Sequence, residues 1–144
     1  MMKKWMMVAT AVLYGLMRGM HEGMVMIMPG DPLSTGAAVG VRGHAGFMDY
    51  HLIAVVGIAL TAALVAQAIW WRPKPLLIIG LVLILWEATE LGYAFARTGW
   101  PIAGWEHVNF IDLVSFELRG YSVWALHIIR AAAGVYLIRK GGTS

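Results

Sequence analysis

The sequence contains no cysteine and few charged residues, and both shortages limit what the protein can be. Without cysteine there are no disulfides, no thiolate metal sites and no iron–sulfur clusters. Lys, Arg, Asp and Glu make up 13% of the 144 residues, whereas a soluble domain contains about 25%. Neither a zinc-protease HExxH motif nor a phosphate-binding P-loop occurs. A soluble domain of ordinary composition is therefore excluded.

Apolar residues dominate instead, at 60% of the chain with a mean hydropathy of +0.70. They fall into four runs of roughly 20 residues, the length that crosses the hydrocarbon core of a bilayer as a helix. We therefore expect an all-α integral membrane protein, a four-helix transmembrane bundle in the lipid bilayer. It forms a single polytopic domain over residues 1–144, with helices at about 5–28, 44–71, 76–97 and 120–139.

The segment between the third and fourth apolar runs has a different pattern. Trp100-Pro101 and Gly104 interrupt the chain, and WEHVNFIDLVSFELR follows with polar residues near helical spacing. This pattern predicts an amphipathic helix over residues 105–118, lying on the membrane surface. A short re-entrant segment is the alternative.

Basic residues flank the apolar runs, and together with the few acids they give a net charge of +3. If four helices alternate in direction, six of these residues fall on one side of the membrane. The positive-inside rule makes that side cytoplasmic, with both termini inside. We interpret this charge as a topology signal, so no nucleic-acid partner is predicted. The six are Lys3, Lys4, Arg72, Lys74, Arg139 and Lys140.

Ionisable residues occur inside all four apolar runs, at similar depths in the half away from these basic flanks. Such groups are costly in hydrocarbon, so they should face protein, water, a cation or a metal. We expect four of them to share one site, with charged neighbours that support or pair with them. The shared site comprises His21, His51, Glu90 and His127, and the supporting or pairing residues are Arg18, Glu22, Glu87 and Arg130.

Three chemistries suit this layer of residues. Imidazole and carboxylate ligands could bind zinc, iron, copper or manganese, as inward-facing residues of four-helix bundles do. Two of the histidines could instead ligate a b-type haem. In the third case nothing is bound, and Glu87 pairs with Arg130 while Glu90 pairs with His127, for packing or proton movement. Glycines at 15, 19 and 23 also predict a small-residue face for close helix contact.

These patterns support three functions. The first is a metal- or haem-binding membrane protein in redox chemistry or electron transfer. The second is a non-catalytic structural or assembly subunit of a larger membrane complex, and the third is a small proton-coupled transporter. Partner subunits or a homo-oligomer are expected, and no catalytic residue is assigned.

Overall fold

The computed structural model of the protein describes residues 2–25, 44–45, 48–98 and 121–143. Within these ranges the chain forms four helices and one short hairpin. The helices are α1 (Met2–Val25), α2 (Tyr50–Trp71), α3 (Pro75–Thr98) and α4 (Tyr121–Lys140). The hairpin pairs β1 (His44–Ala45) with β2 (Met48–Asp49) in antiparallel register. The all-helical fold class is confirmed, whereas the segment over 105–118 lies outside the described residues.

The second helix begins later than the sequence predicted. His44 pairs with Asp49 in the hairpin, and α2 begins at Tyr50. The expected start near His44 was therefore wrong. In the sequence Gly43 and Gly46 flank His44-Ala45, and glycine disfavours helix continuation because its backbone loses the most entropy on ordering. As a consequence His51 lies in the first turn of α2, where it is exposed.

Close packing of α1 against α3 forms the centre of the fold. The two helices run parallel, since Gly15 lies against Leu85 and Ala88 while Gly23 lies against Tyr93 and Ala96. A Cβ at position 15 would stand 2.5 Å from the carbonyl oxygen of Leu85, which no side chain tolerates. The prediction of a small-residue contact face on α1 is confirmed, and it is α3 that this face packs against.

The other two helices pack on opposite members of this pair. α4 runs antiparallel to α3, with Gly80 against Gly134 and Ile138. α2 runs antiparallel to α1, and Gln67 donates a 2.9 Å hydrogen bond to the Thr10 hydroxyl. The main helix contacts therefore follow the order α2, α1, α3, α4.

All four helices bring their basic flanks to one end of the molecule. The Lys4 ammonium donates to the backbone carbonyls of Arg139 and Gly141, each at 3.3 Å. The Lys74 amide donates to the Gly142 carbonyl at 2.9 Å, and Pro73 forms an isolated bridge with Thr143. The chain after α4 is thus fastened across the α2–α3 turn.

Two of the helices are long and apolar enough to cross a membrane. They are α2, over His51–Trp71, and α3, over Pro75–Ala96. α2 also leaves large apolar side chains uncovered, with Ile58 71% exposed and Ile69 66% exposed. By contrast, α3 is packed on two sides, by α1 and α4.

Candidate functional site

Five side chains form a polar cluster where α3 meets α4, and we call it the α3–α4 cluster. It is built around the Glu87 carboxylate, which is 6% exposed, and the His127 imidazole, which is 3% exposed. Helical spacing explains the grouping, because residues three or four apart share a face and the two antiparallel helices bring those faces together. The cluster consists of Trp86, Glu87, Glu90, His127 and Arg130.

Glu87 uses its two oxygens for two different partners on α4. Oε2 lies 2.6 Å from Nδ1 of His127, and Oε1 pairs with Nε of Arg130. The predicted Glu87–Arg130 pair is therefore confirmed. Arg130 is largely buried as well, its side chain being 14% exposed, so this is an ion pair removed from bulk water. Breaking such a pair from one side leaves an uncompensated charge.

The short contact between Glu87 and His127 contains one proton. A carboxylate oxygen and an imidazole nitrogen both carry lone pairs, so a 2.6 Å separation requires a hydrogen on one of them. Nη2 of Arg130 also lies 2.9 Å from the same Nδ1, and arginine can only donate. Nδ1 therefore has two alternative roles: it donates to Glu87, or it accepts from Arg130.

Trp86 joins Arg130 to Glu90, and sequence reasoning did not include it. Its indole Nε1 donates a 2.9 Å hydrogen bond to Oε1 of Glu90. The Arg130 guanidinium lies 4.9 Å from the centre of a Trp86 ring, within the range of a cation–π interaction. The available signal was the spacing of Trp86 and Glu90, four residues apart on one helix.

The remaining predicted residues lie on the other side of the fold. Arg18 forms an ion pair with Glu22 on α1 itself, with 2.5 Å between Nη2 and Oε1. His21 lies near them and lines a groove between α1 and α2, together with Arg18. His51 is exposed in the first turn of α2. The structure thus places Glu90 and His127 in the α3–α4 cluster and His21 in the α1–α2 groove.

In the described parts of the chain, the predicted site residues are not arranged to bind one metal ion together. There, no three histidine, aspartate or glutamate side chains are grouped so as to hold a metal ion. The shared site of His21, His51, Glu90 and His127 stays a prediction, as does a Glu90–His127 pair. The geometry that is present suits hydrogen-bond exchange among Glu87, His127 and Arg130.

Comparison with known proteins adds no functional information. Neither protein-family models, nor curated proteins, nor solved structures gave a match to this chain.

Proposed function

We propose that this protein is a small multi-pass membrane protein whose α3–α4 cluster binds and releases a proton. The observation that carries the proposal is the 2.6 Å contact between Glu87 and His127, with Arg130 on the second carboxylate oxygen. Buried ionisable residues in membrane helices commonly belong to proton relays and ion pathways. The activity would be proton-coupled transport, or proton delivery within a membrane redox complex.

Exposure of α2 supports the membrane placement. The core helix of a soluble protein can be equally apolar, but it is buried by its neighbours. α2 instead exposes Leu52, Val55 and Ile58 along with Val65 and Ile69, and groups of exposed apolar residues often mark a surface that contacts a membrane or another protein. Lipid would cover this surface at no desolvation cost.

Packing supports the proposal of four membrane spans, although among the described helices only α2 and α3 are apolar enough to be recognised alone. α1 lies beside α3 over the stretch from Gly15 to Gly23 and has the same length, 24 residues. α4 lies beside α3 from Ile138 near one end to His127 near the other. If α3 crosses the bilayer, its two close neighbours cross with it. Their charged residues lie at the helix ends or in paired positions.

A proton can pass through the cluster by exchange of hydrogen-bond roles. Starting from neutral His127 with hydrogen on Nδ1, Nε2 takes up a proton and the imidazole becomes an imidazolium. The Nδ1 hydrogen then moves to Oε2 of Glu87, 2.6 Å away. His127 is again neutral, Glu87 is a neutral acid, and Nδ1 can accept from Nη2 of Arg130 at 2.9 Å. One proton has entered at Nε2 and one has been delivered to the carboxylate.

Infrared difference spectroscopy of the purified protein tests this step directly. On acidification the protonated-carboxyl bands that the wild type gains should include one that is absent from Glu87→Gln and displaced in His127→Gln. Glu22→Gln is the matched control, since that carboxylate forms an exposed ion pair on α1, and it should keep the band. A wild type whose Glu87 stays ionised throughout the pH range of folding would refute the proton-binding function.

Metal or haem binding is a second candidate, favoured by one specific contact. Histidines that ligate a metal usually donate their other ring nitrogen to a carboxylate, and Glu87 is placed to accept from Nδ1 of His127. The described residues supply no further grouped ligands, so partner subunits or other parts of the chain would have to complete the site. Metal analysis and an optical spectrum of the wild type and of His127→Ala would test this candidate.

An interaction role with other membrane subunits, or as a homo-oligomer, is compatible with either activity. The exposed apolar residues of α4 include Ile128, Ile129 and Val135. They offer a surface that either lipid or a protein partner could cover.

A further inference from the structure

A groove opens between α1 and α2, on the other side of the fold from the α3–α4 cluster. The two helices touch on either side of it, where Gln67 bonds to Thr10 and where Ile53 packs with Met20 and Met24. Between these contacts they enclose about 270 Å³. This volume lies just below the roughly 300–1,000 Å³ of sites that hold whole drug-sized ligands, so it fits one ring and not a larger body.

The two walls of the groove differ in chemistry. α1 contributes polar side chains along one face, with Tyr14, Arg18 and His21 three or four residues apart. α2 contributes Ile53, Ala54 and further small or apolar side chains. A ligand that suits both walls has one edge that accepts hydrogen bonds and a flat apolar body.

Gly57 makes the α2 wall flat at its centre. A Cβ at this position would meet no atom within 4 Å, so the missing side chain serves no helix contact of the kind seen at Gly15. Glycine in a helix interior lowers stability by about 0.5–1 kcal/mol relative to alanine. Its presence here leaves space in the groove. The nearby Thr61 hydroxyl donates its hydrogen to the Gly57 carbonyl at 2.9 Å. That hydrogen is therefore already used and does not compete for a ligand.

Charge in the groove disfavours an anionic ligand. Arg18 is already paired with Glu22 at 2.5 Å, and a phosphate or carboxylate would have to compete with that side chain. A neutral carbonyl oxygen needs only one hydrogen-bond donor. Arginine carries five N–H groups, and its contact with one carboxylate does not use all of them, so Arg18 can still donate to a ligand. The Tyr14 hydroxyl adds a further donor on the same face.

We propose that the α1–α2 groove binds a neutral, lipid-soluble ring compound with ring carbonyls, of the quinone class. The carbonyl edge lies against Tyr14, Arg18 and His21, and the ring lies over Gly57. The tail leaves through the open side of the groove into the bilayer. This proposal rests on the membrane placement of α1 and α2 but not on proton binding by Glu87.

Binding of decylubiquinone to the protein in nanodiscs tests the proposal. Ligand that binds the folded state raises the unfolding temperature, and the rise grows with the logarithm of ligand concentration above the Kd. The wild type should show this rise, and Gly57→Leu, which fills the groove, should weaken the apparent affinity at least tenfold. Ala62→Leu is the matched control, because it adds similar apolar bulk to an exposed position of the same helix and should bind as the wild type does. Ala54→Leu takes the place of Gly57→Leu if the latter does not fold.

A second comparison separates a ring carbonyl site from an acyl-chain site. Decylbenzene has the same tail and a ring without carbonyls, so it should bind at least tenfold more weakly than decylubiquinone. Equal binding of the two compounds, or binding that Gly57→Leu and Ala54→Leu leave unchanged, would overturn the proposal. The infrared band of Glu87 should persist in Gly57→Leu, so failure here is distinguishable from failure of the proton site.

Discussion

Oε2 of Glu87 lies 2.6 Å from Nδ1 of His127, and the other oxygen of the same carboxylate pairs with Arg130. One side chain of α3 therefore holds two side chains of α4, in a contact that is almost closed to solvent. The ion pair was predictable because antiparallel neighbours bring residues of matching depth together. The histidine contact required the actual rotation of the two helices, which spacing alone does not give.

The Glu87–Arg130 ion pair should show strong coupling in a double-mutant cycle. Arg130→Leu or Glu87→Leu alone leaves one buried charge uncompensated and should lower the free energy of unfolding by roughly 3–5 kcal/mol. The double variant should lose less than the sum of the two single losses. Denaturation of the purified protein in mild detergent measures all four forms.

The exposed pair of Arg18 and Glu22 provides the control cycle. Its side chains are four residues apart on one helix and are 52% and 34% exposed, and pairs at this helical spacing couple by about 0.2–0.5 kcal/mol. Additive losses at Glu87 and Arg130 would mean that the two side chains are not in contact.

Close approach of α1 and α3 should make Gly19 intolerant of any side chain. A Cβ there would lie on the carbonyl oxygen of Thr89, and backbone cannot move aside as a flexible side chain can. Gly19→Ala should lower the free energy of unfolding by about 1–3 kcal/mol, the usual range for overpacking, and Gly19→Leu should prevent folding. Gly57→Ala is the control, since its Cβ meets open space. Equal stability of the two alanine variants in a thermal unfolding assay would contradict the α1–α3 contact.

Arg72 adopts a left-handed backbone conformation, with φ of 43°, in the turn between α2 and α3. A residue with a Cβ is disfavoured there by about 1–2 kcal/mol, and glycine is not. Replacing Arg72 by glycine removes this cost. Part of the stabilisation is lost again, because glycine is also more flexible in the unfolded chain. Arg72→Gly should therefore raise the free energy of unfolding by about 0.5–1 kcal/mol, measured by chemical denaturation. Lys74→Gly, at a position without positive φ, should lower it instead.

Sequence periodicity and length were sufficient for the four helices of the described residues and for the glycine face of α1. They were not sufficient for the beginning of α2, which they left open between His44 and Tyr50, whereas in the structure His44 pairs with Asp49 in a hairpin. Local hydrogen bonding within the hairpin decides that boundary. The site was only partly predictable for a similar reason: Glu87 and Arg130 follow from depth, whereas Trp86 enters through an aromatic contact that no charge pattern signals.

The division of polar residues between two helix pairs was also beyond sequence reasoning. Equal depth placed His21 and His127 in one layer, and depth says nothing about which helices are neighbours. Contacts in the order α2, α1, α3, α4 put His21 beside α2 and His127 beside α3. Had α2 also packed against α4, the helix faces that carry His21 and His127 would lie closer together.

Membrane orientation can be predicted from the end at which the basic flanks meet. The Lys4 ammonium and the Lys74 amide both donate hydrogen bonds to backbone carbonyls in the segment from Arg139 to Gly142, so the charges of Lys4, Lys74 and Arg139 cannot be distributed over both membrane surfaces. The positive-inside rule then places this end, with both termini, in the cytoplasm.

Alkaline phosphatase fused after Gly40 should be active, since that enzyme folds only outside the cytoplasm, and the same enzyme fused after Ser144 should be inactive. A fluorescent protein that matures only in the cytoplasm should give the reverse pattern at the two positions. Activity of the same reporter at both positions would require an even number of spans between them, whereas the four-span arrangement has three, α2, α3 and α4, and would then be wrong.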